Sequence, residues 1–200
     1  MPIYLCIESD ASLSGWGAFC NGVSTRGKCS LSEAEYHINY LELLAAFFAL
    51  QSFLPHHSSV KHVRLKMDNT TAVANINNLG SIKSPLLNGL SRSIWDWCIM
   101  HNIHVSAESV PGSCNVIGDN FSREDSSRLK WSLNNSIFNK LIELVFKPDI
   151  DLCASRLNKK LPMFVSWSPE LGCYAVNAFN ISWSNFQCYA FPPFVFFLEF

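Results

Sequence analysis

Residues 38–53 (INYLELLAAFFALQSF) form an apolar run at helical spacing, and a single carboxylate, Glu42, sits inside it. Glu42 shares a stripe with Ile38, Ala45 and Ala49, the face that such a helix turns towards a sheet. A carboxylate buried there without a partner is costly, so the fold has to bring a hydrogen-bond donor or a cation to it. The helix must therefore pack where other groups of the chain can reach Glu42. Pro55 ends the run.

The flanking segments say which fold that is. Residues 3–8 read as a strand that runs into a polar turn at Ser9-Asp10-Ala11-Ser12. Residues 15–19 and 23–29 are two more strands, joined by the hairpin signal Asn21-Gly22. After the helix, residues 60–67 form a fourth strand ending at Asp68-Asn69, and 70–79 a short helix closed by Gly80. A helix over 85–100 leads to a fifth strand over 103–110. A turn at Pro111-Gly112 then precedes a short helix opening near Asp119. This order predicts an α/β fold: a five-stranded mixed sheet, three strands antiparallel and two parallel, flanked by helices. The 48% apolar content is enough for a core.

The character of the chain changes near residue 130. The sequence predicts one domain over 1–130 and an extension over 131–200, the latter a helix (131–146) and then an aromatic-rich, nearly uncharged stretch. No apolar stretch reaches the roughly 20 residues of a membrane span, and 188–200 is broken by Pro192 and Pro193, so no membrane partner is expected. The eight cysteines include no Cys-x-x-Cys pair and read as buried thiols of a reducing compartment, which points to the cytoplasm or nucleus. A net charge of -1 argues against a stand-alone, tight nucleic-acid binder. It leaves room for a grip supplied by metal ions, a local patch or a neighbouring domain.

Four acidic residues stand at the starts or ends of elements or on a core face: Asp10, Glu42, Asp68 and Asp119. Asp10 also reads as a turn residue, Asp68 as a strand-end residue capping the next helix, and Asp119 as an N-cap. Asp10 and Asp68, however, close the first and fourth strands, and ligands gather at the carboxyl ends of adjoining strands in such sheets. Carboxylates converging there repel unless cations neutralise them, and hard oxygen donors favour Mg²⁺ or Mn²⁺. Two such ions roughly 4 Å apart can activate a water and stabilise the leaving oxygen of a phosphodiester displacement.

Ordered motifs carry a family resemblance from about Tyr4 to Arg128. They are Ser9-Asp10-Ala11-Ser12 with Gly15-Trp16-Gly17-Ala18; His37-Ile38-Asn39 with Leu41-Glu42-Leu43; Asp68-Asn69 before Thr71-Ala72-Val73; and Val110-Pro111-Gly112 with Asn115, Asp119, Ser122 and Arg123. The segment resembles the ribonuclease H family, and within it the branch that follows reverse transcriptases in DIRS-type retrotransposons. The resemblance implies an endonuclease that cuts the RNA of RNA/DNA hybrids with two Mg²⁺ or Mn²⁺ ions, beside an upstream reverse transcriptase in a longer polyprotein. It implies that Asp10, Glu42, Asp68 and Asp119 hold the metal and act in catalysis, with Ser12, Asn69, Asn115 and Arg123 at the substrate. Ser109 stands where relatives commonly carry a His, and Gly118 where Ala is common. A silent nucleic-acid-binding relic of a decayed element is the alternative. The tail, through Ile150-Asp151-Leu152, Ala154-Ser155, Asn158, Trp183 and 189–194, is distantly similar to phage DNA adenine methyltransferases. Phe191 takes the place of the polar residue that should hold the target amine, so no methyl transfer is expected.

Overall fold

The computed structural model of the chain describes residues 4–56, 59–111 and 132–192. The chain divides into two compact units, 1–124 and 125–200. The first is built on a sheet of β1 (Tyr4–Ala11), β2 (Gly15–Cys20), β3 (Val23–Lys28), β4 (His62–Met67) and β5 (His104–Ser109), in the order β3-β2-β1-β4-β5. β1, β2 and β3 pair antiparallel, while β4 runs parallel to β1 and β5 parallel to β4. This is the mixed sheet the element order predicts. Asn21 (φ 48°) and Gly22 (φ 84°) make the β2–β3 turn in the left-handed conformation that a two-residue hairpin favours.

β1 is longer than its sequence suggests. Ser9, Asp10 and Ala11 continue the ladder opposite Ala18, Gly17 and Trp16, so Asp10 is a buried strand residue and not a turn residue. The turn starts at Ser12, whose hydroxyl accepts hydrogen bonds from the Ser14 and Gly15 amides. The antiparallel partner strand decides the matter, because it satisfies backbone groups that a polar sequence alone would have left to a turn.

α1 (Ile38–Phe53) packs on β1 and β2, and also against α2 (Thr70–Asn77) and α3 (Pro85–Met100). Sandwiched in this way it buries residues nearly all round, Leu43, Ala46 and Leu50 as well as Leu41, Ala45 and Ala49. Its alanines leave room for the sheet to approach closely. Trp16 lies under Phe48, ring centroids 5.4 Å apart, and over Gly27 of β3. A Cβ on Gly27 would sit 2.6 Å from the Trp16 indole nitrogen, so this strand position admits only glycine without displacing the indole. α2 ends earlier than expected, with Leu79 (φ 59°) and Gly80 (φ 127°) left-handed and the Gly80 amide donating to the Asn75 carbonyl.

At the sheet's edge, the side-chain amide of Asn77 donates to the Ala107 carbonyl (2.8 Å) and accepts from the Ala107 amide (2.9 Å). It pairs with β5 as a neighbouring strand would.

In the second unit, α4 (Asn135–Leu144) is capped by Asn134, which accepts from the Ser136 amide, and is shorter than the predicted 131–146. Two short parallel ladders follow, β6 (Ile150–Asp151) with β9 (Cys188–Tyr189) and β7 (Val165–Ser166) with β8 (Ala175–Val176). Ile150, Leu152, Val165 and Ala178 form the core. Polar side chains fix the loop that leaves it. Asp151 accepts from the Cys153 (3.3 Å) and Lys160 (3.0 Å) amides, Asn158 from the Ser155 amide and hydroxyl, and Glu170 from the Arg156 amide (2.9 Å). Among the described residues no helix is long and apolar enough to cross a membrane.

Candidate metal centre

Parallel pairing of β1 with β4 puts the carboxyl ends of the two strands side by side. Asp10 is the penultimate residue of β1, Asp68 directly follows β4, and Glu42 lies in the second turn of α1, which packs over β1. The three carboxylates offer oxygens that all lie within 4.8 Å of one another. Asp10 and Glu42 are each only 4% exposed, whereas Asp68 is open to solvent. The cluster therefore has a buried floor and one open side.

Like charges at this separation repel by on the order of 3 kcal/mol per pair even at an effective dielectric of about 20. Neutralising that repulsion calls for protons or a cation. A donor set made only of carboxylate oxygens suits a hard divalent ion of the Mg²⁺ or Mn²⁺ kind and is a poor match for zinc. Thiols take no part: among the described residues no other group of three acidic, His or Cys side chains is placed to hold a metal. Burial pushes the Cys20 and Cys98 thiols up, to about 11 and about 12, which keeps them protonated and inert.

Asn69, not Asp68, caps the next helix. Its Oδ1 accepts from the Ala72 amide at 3.0 Å, which leaves the Asp68 carboxylate to the cluster. The Asn69 Nδ2 donates to Oδ1 of Asn39 at 3.0 Å. Asn39 belongs to the motif ahead of Leu41-Glu42-Leu43 but is not among the site residues that the sequence predicts. The signal was its spacing: three residues before Glu42 it lies on the same side of α1. Ser12 serves the β1–β2 turn two residues beyond Asp10, its hydroxyl engaged with Ser14 and Gly15. Asp119, Asn115 and Arg123 lie outside the described residues. Ser109 ends β5 in register with Met67, the residue before Asp68. Of the basic residues near the sheet, Arg64 pairs with Glu108 and Lys66 with Glu8, both at 3.8 Å.

No protein-family model matches the chain, and no curated protein matches it in sequence. Solved structures do match it in shape. RNase H1 from the halophilic archaeon Halobacterium salinarum NRC-1 superposes with a TM-score of 0.50 at 14% identity, over 60% of this chain and 94% of that one. LC11-RNase H1, solved in complex with an RNA/DNA hybrid, superposes with a TM-score of 0.51 at 16% identity, over 58% of this chain and 92% of that one. At such identities the likeness is one of fold. With its antiparallel β1–β2–β3 meander, parallel β4 and β5 and helices on the sheet, the chain contains a ribonuclease H-like fold.

Proposed function

We propose that the chain is a metal-dependent endonuclease that hydrolyses the RNA strand of RNA/DNA hybrids. The observation that carries this reading is the convergence of Asp10, Glu42 and Asp68 at the carboxyl ends of β1 and β4. The fold likeness to a ribonuclease H1 solved with a hybrid supports the choice of substrate. Asp10 and Glu42 line the buried floor, and Asp68 presents its carboxylate on the side from which a phosphodiester can approach. Asp119 completes the set. These carboxylates would hold two Mg²⁺ or Mn²⁺ ions, which would supply an activated water and stabilisation of the leaving oxygen. Ser12, Asn69, Asn115 and Arg123 are the substrate-side residues, and Ser109 offers no imidazole to assist product release.

The resemblance of the ordered motifs supports a domain that follows a reverse transcriptase in a DIRS-type retrotransposon polyprotein, and the scattered cysteines support a setting in the cytoplasm or nucleus. Residues 131–200 form an extension without methyl transfer, since Phe191 supplies no polar group to a target amine. The test is cleavage of an end-labelled hybrid with and without Mg²⁺, comparing the chain with Asp10→Asn and Asp68→Asn. Metal-dependent RNA cleavage, lost in both variants, is expected. A folded chain that binds hybrid without metal and leaves it intact would instead identify a silent nucleic-acid-binding relic.

A further inference from the structure

The three described carboxylates are held by unlike means. Asp10 lies near the end of β1 and Asp68 directly follows β4, two neighbouring strands whose backbone ladder runs to Glu8 and Lys66, two residues before each. Glu42 comes from a helix that packs on the sheet through side chains such as Leu41, Ala45 and Ala49, and apolar packing is non-directional. A helix seated in that way has to be stopped from sliding along its axis or turning about it. The Asn39–Asn69 bond provides a directional tie. It joins the first turn of α1, three residues ahead of Glu42, to the residue that follows Asp68.

The orientation of both amides is dictated locally. Capping of α2 occupies Oδ1 of Asn69, so its Nδ2 must face Asn39, and Asn39 must answer with its own Oδ1. The Asn39 backbone is held in turn, its amide donating to Nδ1 of His37, the N-cap of α1. The starts of α1 and α2 are thereby linked through one continuous chain of bonds.

We propose that Asn39 is a positioning residue, whose hydrogen bond to Asn69 holds Glu42 in register with Asp10 and Asp68 so that the three carboxylates can bind a divalent cation together. The proposal rests on the reading of these carboxylates as a metal site. It differs from a role in gripping nucleic acid, because it acts on cation affinity before any substrate is present.

The experiment is calorimetric titration of Mn²⁺ into the full-length chain without nucleic acid, for the parent, Asn39→Ala, Asn69→Ser and the double variant, with Asp68→Asn to identify the site. Serine still caps α2 but does not reach Asn39, so Asn69→Ser removes the tie and preserves the helix start. Each single variant is expected to weaken Mn²⁺ binding about three- to tenfold, the range of one neutral hydrogen bond. The double variant should be no weaker than the singles, because both remove the same bond. The melting temperature of Asn69→Ser in chelator should stay close to the parent's. Parent-like affinity in both single variants, or losses that multiply in the double, would overturn the proposal and leave the metal site standing. A parent that takes up no Mn²⁺, or an Asp68→Asn variant that binds as the parent does, would remove the metal site itself.

Discussion

Both units bury carboxylates, and they use them in opposite ways. In the first, Asp10, Glu42 and Asp68 gather their oxygens within 4.8 Å of one another across three separate elements. In the second, Asp151 (2% exposed) and Glu170 (7% exposed) lie as deep, but each turns towards backbone amides of the loop over 153–160. Depth alone therefore does not mark a functional acid. What a buried carboxylate faces decides what it needs: other carboxylates call for a cation or a proton, and amides make a staple for a loop.

This contrast is open to direct attack. The largest effect concerns the cluster: Asp10→Asn or Asp68→Asn should lower hybrid cleavage at least about a hundredfold, since each removes a charged ligand. The same substitutions should raise the melting temperature in chelator, because they relieve repulsion. A lower melting temperature would show these carboxylates acting as staples after all.

Glu170 gives the next effect. Burial lifts its carboxyl from the ordinary 4.5 to about 7, against the opposing pull of the Arg156 amide and the Arg156 and Lys159 charges. A carboxyl whose folded value is raised holds its proton more tightly in the folded state. Its contribution is thus complete below pH 4.5 and is lost as pH rises to about 7, on the order of 3 kcal/mol at most. Denaturant titrations across that window should show stability falling with pH, and Glu170→Gln, which still accepts from Arg156, should flatten the slope. The smallest effect is that of Asp151→Ala, which strands the Cys153 and Lys160 amides and should cost about 2 kcal/mol. Limited proteolysis would then cut within 153–160. A variant that resists proteolysis as the parent does would deny the staple.

Much of the first unit is legible in the sequence. α3 occupies residues 85–100, the range the sequence predicts, and Ser84 and Pro85 fill the cap and first positions. Glu42 was legible because a charge on a core stripe demands an explanation. Ser9-Asp10 reads as the polar border between the first strand and a turn, and only the β2 partner reveals that the strand continues through Ala11. The Asn39–Asn69 bond spans 30 residues and joins two helix starts, a relation that local pattern does not contain. In the second unit, strands of two residues leave no periodicity to read, and Glu170 lies in a loop whose sequence gives no hint that it is buried. The resemblance did single out Asp151 and Asn158, yet their hydrogen bonds to nearby amides became visible only once the loop was in place.

The side chain of Asn77 has a consequence for how this protein behaves in a crowded solution. An edge strand with open amides and carbonyls is a template on which another chain can add a strand, and chains that stack in this way aggregate. By presenting its own amide to Ala107, Asn77 counterfeits one peptide unit and interrupts that template in the middle of β5. At the other border, β3 ends in Lys28, the kind of charged residue that disfavours a neighbouring strand. Growth of the sheet is thus opposed by a mimic on one border and by charge on the other.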